Sequence, residues 1–154
     1  MQQGAALMVA YSFQKRFAEP ILAGAKLHTI RADRRRHARP GEELQLYVGM
    51  RTKQCRLVTR KTCTAVLQIG LDFTSDRILV EGLNHPIESR VGASWNGEGF
   101  AIMGTLLTGR DLDRFAMMDG FSCFTEMRAF WFETHGVPAE HEIFVGKLIG
   151  WWSR

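Results

Sequence analysis

The chain reads as an α+β domain, a small mixed β-barrel with short flanking helices. Three observations predict this. Apolar and polar residues alternate over short runs, which is the period of half-buried strands. The helical stretches are few and brief. The strands do not alternate with long helices in the rhythm that builds a doubly wound sheet. At 154 residues the expectation is a single domain, spanning 7–152, and a chain of this length buries a core without disulfides or a structural metal.

The first strand is predicted over Leu7–Phe13, with Met8, Ala10 and Ser12 on one face and Val9, Tyr11 and Phe13 on the other. Phe17 and Ile21 lie at helical spacing, with Leu22 beside them. Pro20 is tolerated in a first turn, so a short helix begins near Ala18 and Glu19 and closes at Gly24. Lys26–Arg31 is read as extended. Thr29 and Arg31 then share a face, His28 and Ile30 take the other, and Lys26, at the turn, swings to the Thr29 side. Asp33–Arg39 is a charged loop, and Pro40-Gly41 a turn. Glu43–Val48 alternates cleanly, with Leu44, Leu46 and Val48 inward. A polar turn covers Gly49–Gln54, Thr62–Ile69 is β-rich, and Arg77–Glu81 is a further strand.

Leu83–Gly99 is expected to be an irregular excursion, with a tight turn at Trp95-Asn96-Gly97. A strand follows over Phe100–Leu107. Asp111 is read as the cap of a short helix ending at Met117. Ser122 is read as the cap of a second helix. Its apolar stripe is Phe124, Met127, Phe130 and Trp131, and it stops at Gly136 and Pro138. Ile143–Trp151 is the last strand.

Formal net charge is +4 and the sequence pI is about 9.3. The positive charge is concentrated between Lys26 and Lys61. Lys26, Thr29 and Arg31 bring an amine, a hydroxyl and a guanidinium into six positions, and Arg31, Arg34, Arg35, Arg36 and Arg39 put five arginines in nine. Guanidinium forks match phosphate geometry. This cluster suits RNA or a nucleoside or nucleotide ligand. Arg51, Lys53, Arg56, Arg60 and Lys61 lengthen the basic patch if the fold brings them alongside. Tyr11, Trp95, Trp151 and Trp152 are aromatic groups able to stack on bases, with Trp151 assigned to the core.

Three cysteines, Cys55, Cys63 and Cys123, at irregular spacing make no disulfide framework and fit a reducing cytoplasm. The stretch MQQGAALMVAY has neither the basic nor the apolar part of a secretory signal. No apolar run approaches membrane-spanning length. His135 and His141 lack a cysteine pair to complete a zinc site. No phosphate-loop or nucleophile-elbow motif occurs. No cofactor and no metal are called for.

These residues resemble the ASCH domain family, whose members share a PUA-like β-barrel. The likeness rests first on Ile21, Leu22, Gly24, Lys26, Thr29 and Arg31, in the pattern I-L-x-G-x-K-x-x-T-x-R. It continues through Pro40-Gly41-Glu42 and the strand after it. Phe115, Ala116, Asp119, Gly120 and Phe121 then form F-A-x-x-D-G-F ahead of a helix, and the last strand ends at Trp151. The likeness covers most of the chain apart from Leu83–Gly109, which reads as an insertion.

One branch of the family hydrolyses the amide of 4-acetylcytidine and related acylated pyrimidine nucleosides with a lysine, a threonine and a glutamate. The resemblance places these on Lys26, Thr29 and Asp119, the last an aspartate in place of the glutamate and one methylene shorter. Other members bind RNA or cleave it, so a non-catalytic RNA-binding module and a ribonuclease are the alternative implications. In the hydrolytic reading Thr29 is the nucleophile and Lys26 the base that activates it, which requires a lowered lysine pKa. Asp119 orients Lys26 or passes the proton to the leaving amine, and Arg31 donates to a carbonyl oxygen or oxyanion.

Overall fold

The computed structural model describes residues 7–82, 86–87, 90–94 and 103–153. Among the described residues nine strands fall into two sheets, and three short helices accompany them, so the fold is mixed α+β. The first sheet has the order β1 (Met8–Phe13), β3 (Glu43–Val48), β4 (Arg56–Thr62). The second begins with β2 (His28–Ala32), β9 (Phe144–Gly150) and β5 (Ala65–Asp72), and continues through β6 (Arg77–Glu81), β8 (Met103–Leu107) and β7 (Arg90–Ser94).

Local chemistry accounts for most of these elements. In β1, Tyr11 and Phe13 are buried while Met8 and Ala10 are exposed. In β3, Leu44, Leu46 and Val48 are buried at every second position. Each such side chain contributes about 1.5–3 kcal/mol when fully removed from water. A single 3-10 turn (Lys15–Phe17) leads into α1 (Ala18–Leu22), and Gly24 follows at φ +76°. α2 (Arg110–Met118) and α3 (Phe124–His135) pack on each other and bury Phe115, Met127 and Trp131.

Several details differ from the sequence reading. Thr62–Ile69 is not one β segment: β4 ends at Thr62 in the first sheet, and β5 begins at Ala65 in the second, with Cys63 and Thr64 between them. β4 is largely exposed and basic, so it lacks the one-sided apolar pattern that marks a strand. Gly109, not Asp111, caps α2, and Asp111 sits in its first turn. Ser122 is not the cap of α3 either. Cys123 holds that position, while the Phe124 N–H donates to Asp113 Oδ1 on α2 at 2.9 Å. β7 and β8 fall inside the segment read as an insertion, yet they pair with each other, and β8 pairs with β6. The tight turn expected at Trp95-Asn96-Gly97 lies outside the described residues.

Among the described residues the two sheets do not join into one closed barrel. β1 gives its ladder to β3 in parallel register, and β2 gives its ladder to β9 in antiparallel register. A parallel pair needs a long crossover. Here the crossover carries α1, β2 and the arginine loop between β1 and β3, which leaves the outer edges of β1 and β2 at the ends of their sheets. Side chains span this seam. Arg31 Nη2 donates to the Ser12 carbonyl at 2.6 Å, and the Tyr11 hydroxyl meets His37 Nδ1 at 3.0 Å.

Candidate functional site

The seam holds a cavity of about 290 Å³. Lys26, Thr29, Arg31 and Asp119 all line it, together with Phe13, Phe17, Phe121, Phe130, Trp131 and Phe144. Its volume is close to the lower end of small-molecule sites. Aromatic walls and a few convergent polar groups are the usual makeup of such a site.

Lys26 is placed by backbone bonds from three directions. Its N–H and that of Ala25 donate to the Pro20 carbonyl, each at 2.9 Å. The next N–H, of Leu27, donates to Met118 O at the end of α2 at 2.8 Å, and Trp151 Nε1 donates to the Lys26 carbonyl at 3.1 Å. Trp151 is thus a buried core residue, as the sequence assigns it. The Lys26 amine donates to the Asp119 carbonyl at 2.5 Å and to Asp119 Oδ1 at 3.2 Å. Asp119 closes α2 and is followed by Gly120 at φ +95°. A Cβ at Gly120 would stand 3.0 Å from Lys26 Cδ and 3.1 Å from the Phe17 ring. Glycine here both adopts the left-handed turn and leaves room for the lysine.

His28 belongs to the same cluster, although sequence reasoning assigned it no role. Its Nδ1 lies 3.0 Å from Asp119 Oδ1, and its ring packs on Phe115 and edge-on to Trp152. Lys26 already donates to that oxygen, so Nδ1 carries the hydrogen. The signal was present in the chain. Lys26 and His28 are two apart, and in extended chain such residues share a face. Lys26 was expected to swing to the Thr29 side. It reaches the cavity that Thr29 lines, but its polar partner is the one it shares with His28.

Lys26, His28, Thr29 and Asp119 are all buried. Burial pulls the Lys26 amine below its ordinary value, while the Asp119 carboxylate pulls it back up. Burial likewise holds the His28 imidazole below its ordinary value against the same carboxylate. Thr29 and Arg31 point together, as strand alternation predicts: Arg31 Nε donates to Thr29 Oγ1 at 3.2 Å.

The remaining arginines are placed differently from one another, and none of them lines the cavity among the described residues. Arg34 lies over the Tyr11 ring at 4.6 Å and donates from Nε to Arg36 O at 2.8 Å. Arg36 pairs with Glu42 at 2.6 Å, and the Arg39 N–H donates to the other Glu42 oxygen at 2.9 Å. Glu42 thus folds the loop on itself. Arg35 is exposed.

A neighbouring cavity of about 270 Å³ shares Trp131, His135 and Phe144 with the first but does not reach the Lys26 cluster. Among the described residues no three acidic, histidine or cysteine side chains gather as a metal site, and no helix is long and apolar enough to cross a membrane. Cys63 is buried, and burial pushes its thiol up to about 11. Set against protein-family models, curated proteins and solved structures, the chain matches none of them.

Proposed function

We propose that this chain is an ASCH-type domain, a PUA-like barrel opened along the β1–β2 seam, and that it hydrolyses an acylated pyrimidine nucleoside such as 4-acetylcytidine in that seam. The observation that carries the reading is the convergence of Lys26, Thr29, Arg31 and Asp119 on one aromatic-walled cavity. The pyrimidine ring occupies the aromatic part. Its exocyclic amide faces Thr29, whose hydroxyl attacks the carbonyl carbon as Lys26, in its neutral form, takes the hydroxyl proton. Arg31 Nε, which donates to Thr29 Oγ1, holds that hydroxyl in place for the attack. Lys26 returns the proton to the departing ring amine, and water then releases the acyl group from Thr29. Burial supports the neutral lysine, and Asp119 fixes the direction of its lone pair.

One observation favours a second reading, a module that binds the nucleoside or RNA without chemistry. Asp119 lies 3.2 Å from the amine, and an ammonium in that ion pair cannot accept the Thr29 proton. Incubation with 4-acetylcytidine separates the two. Hydrolysis predicts release of cytidine and acetate, and a loss of about 100-fold or more in Thr29→Ala and in Lys26→Ala. Binding seen by calorimetry without turnover leaves the second reading. Absence of both removes this ligand class from the cavity.

A further inference from the structure

Cations and aromatic rings alternate in a row from Arg16 to Arg34, and the middle of the row, Phe17, Lys26, Phe13 and Arg31, lines the cavity. The Arg16 guanidinium carbon lies 5.2 Å from the Phe17 ring centre, and the Lys26 amine 4.8 Å from the same ring. Lys26 is also 5.6 Å from Phe13, which Arg31 approaches to 4.8 Å. Arg31 is 5.4 Å from Tyr11, which Arg34 approaches to 4.6 Å. Ring faces hold cations in place without cancelling their charge. The half of this row that holds Arg16 and Lys26 is neutralised, since Lys26 meets Asp119 and Arg16 meets Glu126. In the other half no carboxylate pairs directly with Arg31 or Arg34 among the described residues, and only the field of Asp119 reaches Arg31.

The unpaired end is also pre-set for a ligand. Arg31 uses Nε and Nη2 within the protein, and Arg34 uses Nε. Both terminal nitrogens of Arg34 and Nη1 of Arg31 have no protein partner among the described residues. Tyr11 is itself locked, with its hydroxyl bonded to His37 Nδ1 and to the Ala38 N–H, and its ring stacked on His37. Lys147 adds positive charge nearby. It is the cross-strand partner of Arg31, and its field, with that of Arg34, acts on His37. Asp33 is the acidic group that also acts there.

We infer that Arg31 and Arg34, seated on Tyr11 beside the cavity, form a phosphate subsite, so that the ligand carries a phosphate next to its heterocycle. Its class is then a nucleotide or a nucleoside within RNA, not a free nucleoside. The placement of the heterocycle rests on the function proposed above; the anion subsite does not.

The test titrates the intact protein at about 0.15 M salt with inorganic phosphate, cytidine, cytidine 5′-monophosphate and a short oligocytidylate, the last three also in acetylated form. Calorimetry reads affinity, and the arginine Nε–Hε signals in NMR read the site. The monophosphate or the oligonucleotide should bind about tenfold or more tightly than the nucleoside, the scale of hydrogen bonds to a charged group. Arg34→Gln should abolish that preference and leave nucleoside affinity unchanged. Phosphate alone should shift Arg31 and Arg34 saturably. Preference for the oligonucleotide over the monophosphate identifies RNA backbone as the source, and the reverse identifies a mononucleotide. Equal affinity for the phosphorylated and unphosphorylated forms, a preference that survives Arg34→Gln, or shifts spread evenly over all arginines would overturn the inference. If phosphate saturates Arg31 and Arg34 while no pyrimidine form binds, the heterocycle assignment fails and the anion subsite stands.

Discussion

Asp119 is the residue on which the site's charge balance turns, because one carboxylate oxygen serves both the Lys26 amine and the His28 ring. Removing the carboxylate leaves two buried donors, the Lys26 amine and the His28 ring N–H, without their acceptor, at about 1–3 kcal/mol each. Asp119→Ala is therefore expected to lose stability on that scale in urea melts. The apolar double change Lys26→Met with Asp119→Leu should lose less, since only the His28 N–H is then left without its acceptor. His28 gives this cluster a pH dependence. Its folded pKa lies below the ordinary 6.5, so between the two values the unfolded chain binds the extra proton. Stability from this group is fully present above pH 6.5 and falls as the pH drops towards the depressed value. The slope is at most about 1.4 kcal/mol per pH unit. Melts from pH 7 to 5 should show a shallower fall in His28→Asn, with the remainder coming from His37, whose pKa is also lowered by burial. An identical slope in parent and variant would refute this.

At the scale of elements, legibility followed the environment of each segment. β1 and β3 were readable because one face is buried and the other wet, so composition alternates with structure. β4 was not, because water reaches both of its faces and its residues carry no apolar period. The Lys26–Thr29–Arg31 group was readable because its members are close in sequence, and Asp119 because it sits in a recognisable turn before a helix. His28 escaped because its partner is distant along the chain, and only the folded register brings it to Asp119. The α3 cap escaped for the same reason. Ser122 is the residue a local reading selects, but its hydroxyl bonds Glu126, and the open N–H of Phe124 is met by Asp113 from the preceding helix. Asp113→Ala should therefore cost about 1 kcal/mol, the usual value of a lost helix cap. Thermal denaturation should show Asp113→Ala as the more damaging of the two changes when set beside Ser122→Ala.

At the scale of the whole molecule, the cavity exists because two sheet edges face each other without forming a ladder. β1 and β2 each close one end of a sheet, and exposed edges of this kind invite pairing with other strands. Here the space between them is a cavity lined by Phe13, Phe17 and the Arg31 side chain. Arg31 bridges the gap, bonded to Thr29 on β2 and to the Ser12 carbonyl on β1. A guanidinium does this where an ammonium cannot, because its fixed fork reaches two acceptors in one plane. Arg31→Lys should keep a positive charge in the cavity yet lose the double contact. The expected result is a local opening. Amide hydrogen exchange should quicken at Ser12–Gln14 and Thr29–Ala32, while amides in β5 and β6, deep in the second sheet, keep their protection. Arg31→Gln should behave alike at the seam. If exchange rises uniformly across both sheets, Arg31 supports the global fold and not the seam. If it does not rise at all, the two edges are held together by the aromatic contacts alone, and the cavity owes its shape to Phe13 and Phe17.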